Sequence, residues 1–219
     1  MLTVCWAAKG GSGTTVVSCA LALLSARRHE TAWLLDLAGD APAALGMVEP
    51  AGPGVHEWVA VSSAPPSAIE AIGVTVADGL RLIGRGSVAA GYDHQRWREL
   101  GRFLAEKDGC VVVDAGTGPP PEGLLIAAQH RLLVTRACYL SLRRAASSAV
   151  VPSGVIVVHE PGRALRAQDV AYAVRAPVLA EVSVDPSVAR AVDAGLLAAR
   201  MPRTLATALR GLTTSEVSV

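Results

Sequence analysis

The chain has 219 residues, 51% of them hydrophobic, so it can bury a sizeable core. Its length favours a single α/β domain that spans residues 1–219. A formal net charge of +1 excludes a chain-wide electrostatic attraction to nucleic acid or to an acidic membrane. The four cysteines form no Cys-x-x-Cys pair, which favours a reduced, intracellular chain over one held by disulfides or a metal.

The N-terminal apolar run indicates neither a signal peptide nor a membrane span. No basic region precedes it, Lys9 interrupts it early, and no uncharged run in the chain reaches roughly 18 residues. We therefore expect a cytoplasmic protein, with peripheral contact at the inner face of the membrane as an alternative.

The first forty residues predict a βαβ unit. Leu2–Ala8 is an apolar run rich in β-formers, typical of a buried parallel strand. Thr14–Arg28 is apolar around most of its circumference, which predicts a largely buried helix. Thr31–Leu37 is a second apolar strand with Asp36 near its end.

The middle of the chain is less regular. Five prolines and several glycines break residues 39–79 into what we expect to be loops and short helices. Leu80–Ile83 predicts a strand. Asp93–Lys107 predicts an amphipathic helix, and the large apolar side chains at its helical spacing are expected in the core: Trp97, Leu100, Phe103 and Leu104.

The rest of the chain alternates strands with helices. Strands are predicted at 109–116, 132–135, 155–158 and 177–180, and helices at 139–149, 166–175 and 186–199. This alternation predicts an α/β fold, a doubly wound, mostly parallel sheet with helices on both faces.

Residues 200–219 are expected to form a C-terminal helix and tail. Leu205, Leu209 and Leu212 share one helical face beside arginines, so the helix either touches a membrane or docks on its own domain. The C-terminal region is also weakly basic, which fits either a solvated face or contact with DNA phosphates. The basic residues are Arg190, Arg200, Arg203 and Arg210.

A glycine-rich loop joins the first strand to the first helix, and it matches a phosphate-binding loop with one part replaced. The full pattern is G-x-x-x-x-G-K-[ST], in which backbone N–H groups hold phosphates, the lysine reaches the terminal phosphates, and the hydroxyl holds Mg²⁺. Here Ala8 replaces the first glycine and Thr14 replaces the lysine, while Thr15 keeps the hydroxyl. The candidate phosphate-binding residues are Gly10, Gly11, Ser12, Gly13, Thr14 and Thr15.

Ligands of doubly wound sheets bind beyond the carboxyl ends of the strands, where Lys9, Asp36 and Asp114 are expected to gather. A helix N-terminus, a hydroxyl and a carboxylate at the end of a nearby strand together suit a Mg²⁺-nucleotide. Asp114 either holds the metal through water, with Thr15, or ends its strand as a cap. Lys9 is either a phosphate or dimer contact or a solvated turn lysine.

The sequence Lys9-Gly10-Gly11-Ser12-Gly13-Thr14-Thr15 resembles the K-G-G-x-G-K-[ST] loop of the ParA/MinD family of deviant P-loop ATPases. The resemblance covers nearly the whole chain: Val111–Gly116 looks like the family's Walker B strand, and Ser141–Arg143 like the start of its following helix. It implies ATP and Mg²⁺ as cofactors. It also implies a nucleotide-sandwich homodimer in which Lys9 reaches the partner's phosphates.

Within the family, the sequence is most similar to the TadZ/CpaE-like group associated with Tad-type pilus assembly, where altered P-loops occur. The segment from Pro177 to Pro186 resembles the late strand and loop near the adenine, which implies a nucleotide contact at Pro186. The corner at His159–Gly162 departs from the family's usual asparagine, so base recognition does not carry over there.

Two departures concern catalysis. The family's D-x-D segment reads Asp36-Leu37-Ala38 here, so the second aspartate is missing and Asp40 is its candidate substitute. Thr14 removes a charge whose loss can cost on the order of 3–4 kcal/mol in a transition state. Lys9, Asp36 and Asp40 are the candidate catalytic residues, and we expect hydrolysis to be slow or absent.

Three functions follow as hypotheses. The first is a MinD/ParA-like ATP-binding switch that positions a pilus, secretion or cell-division machine through nucleotide-dependent dimerisation and protein partners. The second is a non-enzymatic scaffold that kept the fold and lost nucleotide use. The third is a ParA-like DNA partition protein, which the balanced charge does not favour.

Overall fold

The computed structural model describes residues 1–89, 91 and 93–213. Within these residues one sheet has eight strands, flanked by helices. The strands are β1 Leu2–Ala7, β2 Ala32–Asp36, β3 Val74–Ala77, β4 Leu80–Ile83, β5 Cys110–Thr117, β6 His130–Arg136, β7 Gly154–His159 and β8 Val178–Ser183. The helices are α1 Thr14–His29, α2 Ala41–Leu45, α3 Val55–Ala60, α4 His94–Ala105, α5 Glu122–Ala127, α6 Tyr139–Ala146, α7 Ala167–Val174, α8 Pro186–Asp193 and α9 Arg203–Leu209, with 3₁₀ turns at Pro66–Ile72 and Arg210–Thr213.

The sheet confirms the predicted fold class. Its strand order is β3-β4-β2-β5-β1-β6-β7-β8. Every strand pair is parallel except β3 with β4. Because β5 and β6 flank β1, the loop that follows β1 emerges at the middle of the carboxyl edge, next to the ends of β5 and β2.

Alternating side chains divide the core into two layers, one on each face of the sheet. In β5, Val112 points to the layer covered by α1, α2, α8 and α9, whereas Val111 and Val113 point to the layer covered by α3 to α7. Strands buried on both faces read as continuous apolar runs, which is why β1 and β5 were recognisable in the sequence.

Helix α1 confirms its predicted burial, and α4 does so except at Phe103, which is only partly buried. The run from Val17 to Ala26 in α1 is buried. The helix ends with the basic residues Arg27, Arg28 and His29, which interact favourably with the negative end of the helix dipole. In α4, the Asp93 carboxylate caps the N-terminus by accepting the N–H groups of Gln95 and Arg96.

Three elements differ from the sequence-based expectation. The segment 39–79 contains short helices, as expected, but it also contains β3, a four-residue edge strand with only partly buried side chains. Helix α5 is six residues long, too short to show a helical period. Helix α8 ends at Asp193, well before the predicted 199. Residues 214–219 of the predicted tail lie outside the described residues.

The C-terminal helix docks on its own fold. Leu205, Leu209 and Leu212 are buried in the layer that contains α1, and α9 packs against α1 and β8. The apolar face that resembled a membrane-targeting helix is therefore occupied by the core. Across the described part of the chain, no helix is long and apolar enough to cross a membrane.

Leu209→Ala should lower the free energy of unfolding by about 2–5 kcal/mol, because it leaves a cavity at a fully buried position. Leu196→Ala is a matched control at a side chain that is 47% exposed, and it should change stability by less than about 0.5 kcal/mol. Denaturant unfolding measures both. Equal, small losses would contradict the docking of α9.

Candidate functional site

The glycine loop has the backbone geometry of an anion cradle. Gly11 (φ 74°) and Gly13 (φ 89°) take the left-handed conformation that favours glycine. The Ser12 hydroxyl donates to the Lys9 carbonyl at 2.7 Å and closes the turn. Gly13 stands at the N-cap of α1, and no side chain caps this helix end. The first N–H groups of α1 are thus left for another acceptor, at the positive end of a sixteen-residue helix.

A cavity of about 450 Å³ opens in front of this helix end. One wall is formed by Gly11–Val16, the end of the glycine loop and the first turn of α1. The other walls are the segments that follow β2 and β4 and the last residues of β5. The residues that these segments contribute are Leu37, Ala38, Asp40, Arg85, Ala115, Gly116 and Thr117.

Asp114 lies behind this cavity, buried at 0% exposure near the end of β5. One carboxylate oxygen, Oδ1, accepts the N–H of Gly116 at 3.1 Å. The other, Oδ2, is buried without a hydrogen-bond partner among the described residues. Burial raises the pKa of Asp114 to about 6; the Thr15 hydroxyl opposes this rise, and the negative charge of Asp36 adds to it.

The pair Thr15 and Asp114 fits an Mg²⁺ ion held partly through water. Hydroxyl and carboxylate oxygens are the ligands that Mg²⁺ prefers, and a metal-bound water would satisfy the unpartnered Oδ2 atom. Among the described residues there is no cluster of three or more His, Cys, Asp or Glu side chains able to hold a metal by themselves. The ion would therefore need phosphate oxygens as further ligands, which is its usual mode at nucleotide sites.

Asp36 is adjacent to Asp114 in the sheet but serves the backbone. The two residues are register partners across β2 and β5. Asp36 Oδ1 accepts the N–H groups of Ala38 (2.9 Å) and Gly39 (2.7 Å), and Oδ2 accepts that of Ala41 at 2.9 Å. Burial raises the pKa of Asp36, and these three bonds oppose the rise. Both oxygens are committed to the loop before α2, and the side chain does not line the cavity.

Asp40 and Ala38 line the cavity from the same loop. Asp40 is exposed, and its side chain does not cap α2 although it stands at the N-cap. Its carboxylate has no hydrogen-bond or ion-pair partner among the described residues, and its substitute role stays a prediction. The Ala38 methyl lies close to Gly116: a Cβ added at Gly116 would lie 3.0 Å from the Cβ of Ala38.

Lys9 is not among the residues that line the cavity. Its Nζ atom donates to the Gly10 carbonyl at 3.4 Å. Burial raises the pKa of the Cys138 thiol at the start of α6, whereas hydrogen bonds with Ser141 lower it. The positive charges of Arg163 and Lys9 lower it further, and the net shift is downward. The charge of Lys9 therefore acts on the start of α6.

Two predicted features stand apart from the cavity. Pro186 begins α8 after the edge strand β8, and it is not among the residues that line the cavity. Arg190, Arg200 and Arg203 line a separate groove of about 810 Å³ between α8 and α9.

Arg85 is a site residue that the sequence analysis missed. It is the only cationic side chain among the residues lining the cavity, and it stands between Gly84 and Gly86, immediately after β4. An arginine between two glycines at the carboxyl end of a parallel strand was the available signal. Finding it required knowing that β4 pairs with β2, which brings its end to the cavity.

Solved structures with the same fold are MinD and ParA ATPases. The MinD cell division protein of Aquifex aeolicus aligns with TM-score 0.77 and 18% identity over 98% of this chain and 97% of that chain. The septum site-determining protein MinD of Pyrococcus horikoshii OT3, complexed with Mg-ADP, aligns with TM-score 0.73 and 18% identity over 97% of this chain and 95% of that chain. A ParA family ATPase from Chlorobium tepidum TLS aligns with TM-score 0.74 and 17% identity over 96% of this chain and 97% of that chain.

These comparisons define the fold of the chain as that of the MinD/ParA P-loop ATPases. No family model matches the sequence, and no curated protein matches it. At 17–18% identity the likeness establishes the architecture, so the function must come from the site.

Asp36→Ala should lower the free energy of unfolding by about 2–4 kcal/mol, because it leaves three backbone N–H groups of one buried turn without their acceptor. Asp40→Ala, in the same loop but exposed, should change it by less than about 0.5 kcal/mol. Thermal and urea unfolding of both variants provide the measurement. Equal stabilities would contradict the structural role of Asp36.

Asp114→Asn should stabilise the nucleotide-free protein at high pH. Because the folded-state pKa, about 6, is above the ordinary value of 3.8, ionisation of Asp114 opposes folding increasingly between about pH 4 and pH 6. The variant should match the wild type near pH 4 and exceed its stability at pH 8, by at most on the order of 3 kcal/mol.

Unfolding free energies across this pH range measure the effect, with exposed Asp108→Asn as the control. The control should show no comparable pH-dependent gain. A gain from Asp114→Asn that is the same at pH 4 and pH 8 would contradict the shifted pKa.

Proposed function

We propose that this protein is a MinD/ParA-like switch that binds ATP with Mg²⁺ in the cavity in front of α1. One observation carries the proposal: the uncapped N-terminus of a long helix faces the same cavity as Thr15, behind which lies a buried carboxylate with an unpartnered oxygen. The first feature suits phosphate and the second suits a metal-bound water.

Each residue of the loop has a proposed task. The N–H groups from Gly10 to Thr15 would bind phosphate oxygens. The Thr15 hydroxyl would bind Mg²⁺ directly, and Asp114 would orient a water on it. Bound Mg²⁺ would supply neutralising charge between the phosphates and these acidic side chains.

Dimerisation around the nucleotide is the proposed role of Lys9. Its ammonium group has no carboxylate partner among the described residues, and its recorded hydrogen bond is a long one to the neighbouring carbonyl. A side chain held so weakly can turn outward at little cost. Lys9 therefore suits contact with the phosphates of a second subunit better than with those in its own cavity.

Weak or absent hydrolysis is proposed for three reasons. Thr14 is a buried residue that brings no charge to the loop. Ala38 has no group that could orient water. Asp36 is engaged by three backbone N–H groups. Asp40 is the remaining carboxylate on the cavity wall, so any turnover would depend on it.

The cellular role is proposed as the positioning of a pilus, secretion or cell-division machine from the cytoplasm, through protein partners that recognise the ATP-bound dimer. The resemblance to TadZ/CpaE-like proteins supports the pilus assignment. A non-enzymatic scaffold is the second candidate, favoured by Thr14 and by Ala38, which remove a phosphate contact and a catalytic group.

Calorimetric titration of the full chain with ATP tests the binding. We expect binding in Mg²⁺ that weakens at least about tenfold in EDTA, and we expect Thr15→Ala and Asp114→Asn to lose this difference. Phosphate release, measured in parallel, should be slow or absent. Failure of the wild type to bind ATP in Mg²⁺ would favour the scaffold.

Light scattering tests the role of Lys9. The wild type should dimerise in Mg-ATP, whereas Lys9→Ala should bind ATP but remain monomeric. Arg144→Ala, an exposed cation on α6, is the control and should dimerise normally. Unchanged dimerisation of Lys9→Ala would remove the proposed role of Lys9.

A further inference from the structure

The cavity has an unusual distribution of charge for a phosphate site. Its loop lacks the lysine that such loops place at the position of Thr14, and Lys9 is not among the lining residues. Among the lining residues the charged side chains are Asp40 and Arg85, one acidic and one basic. Asp114 adds a second carboxylate behind the wall. A triphosphate therefore needs a cation from the protein in addition to Mg²⁺.

The backbone that carries Arg85 is firmly held. Two carbonyls beside the cavity accept N–H groups from the start of α3: Gly84 from Val55 at 2.9 Å, and Arg85 from His56 at 3.1 Å. Gly86 follows with a φ of 89°, and a Cβ there would collide with the Glu57 carboxylate.

Glu57 fixes the other side of this segment. Its carboxylate accepts the N–H groups of Gly54 at 2.8 Å and Ser87 at 2.7 Å, together with the Ser87 hydroxyl at 2.9 Å and the Val88 N–H at 3.1 Å. Burial raises the pKa of Glu57, but these bonds outweigh it and lower the pKa to about 2. The carboxylate thus stays ionised and holds the loop at physiological pH.

The side chain of Arg85, in contrast, is uncommitted. It is exposed, and no hydrogen bond or ion pair joins its guanidinium to any residue that the structure describes. It passes over Gly39, where an added Cβ would lie 3.3 Å from the Arg85 Cδ and 3.5 Å from Nη1. A fixed backbone with a free guanidinium at the cavity wall is the arrangement of a ligand-binding arginine.

We propose that Arg85 supplies, from the loop after β4, the positive charge that Thr14 does not supply from the glycine loop, and that it binds the terminal phosphate of ATP. The proposal rests on nucleotide binding at this site, as proposed above. The N–H groups of α1 form one wall of the cavity, and Arg85 lies on a different wall with Gly39 and Asp40 as neighbours. Because α1 meets the phosphates from one wall and Arg85 approaches from another, we assign the terminal phosphate to Arg85, which would then favour ATP over ADP.

Calorimetric titrations of wild type, Arg85→Ala and Arg28→Ala with Mg-ATP and Mg-ADP test the proposal. Arg28 is an exposed arginine in the last turn of α1, at the opposite edge of the sheet from the cavity, and its variant is the matched control. We expect Arg85→Ala to weaken ATP about ten- to a hundredfold and ADP less than about threefold, because one charge-assisted contact is lost. Arg28→Ala should leave both affinities unchanged.

A second variant tests whether Arg85 and position 14 serve the same phosphate. Thr14→Lys should restore most of the ATP affinity in the Arg85→Ala background and add less in the wild-type background. The melting temperature of Arg85→Ala should agree with the wild type, since the Arg85 guanidinium makes no hydrogen bond or ion pair with any described residue.

The outcomes separate the two proposals. If the wild type binds neither nucleotide, the proposed function fails. If the wild type binds ATP and Arg85→Ala binds it equally well, or loses ATP and ADP affinity in equal measure, the role of Arg85 is overturned while nucleotide binding stands.

Discussion

Two carboxylates, Asp36 and Asp114, lie side by side on adjacent strands and determine the electrostatics at the carboxyl edge of the sheet. Burying both is costly unless each is satisfied. Asp36 is satisfied by three N–H groups of its own loop and so shapes the wall that carries Ala38 and Asp40. Asp114 keeps an oxygen without a hydrogen-bond partner among the described residues, and burial raises its pKa to about 6. The fold thus retains an unmet electrostatic demand beside Thr15, which a bound cation would relieve.

Positive potential reaches the same place from two directions. The N-terminus of α1 brings backbone N–H groups without any side-chain cap, and the loop after β4 brings the Arg85 guanidinium. A conventional phosphate-binding loop concentrates both contributions in one segment. In this chain the glycine loop presents backbone N–H groups, and the cationic side chain stands in the loop after β4, which β2 and β5 separate from β1. Under the proposed function, loss of the motif lysine need not mean loss of the site.

Much of the fold was readable because parallel strands buried on both faces are continuous apolar runs, and α1 is apolar around most of its surface. Most strand positions agreed with prediction to within a few residues. Strand β3 and helix α5 were missed because four and six residues are too few to show a period. The leucines of α9 showed only that one face is apolar, and whether that face meets a membrane or the core depends on a contact with α1 that is distant in sequence.

The sequence by itself determined which chemical groups follow the central strands. It placed a glycine loop with Thr15 after β1 and aspartates near the ends of β2 and β5, because each group lies next to a strand that the sequence pattern reveals. The tertiary structure decided what each group does. Strand pairing placed Arg85 on the cavity wall, whereas Asp36 binds its own backbone and the Oδ2 atom of Asp114 has no hydrogen-bond partner among the described residues. Side-chain partners and burial arise from segments distant in sequence, so they are decided only when the sheet is assembled.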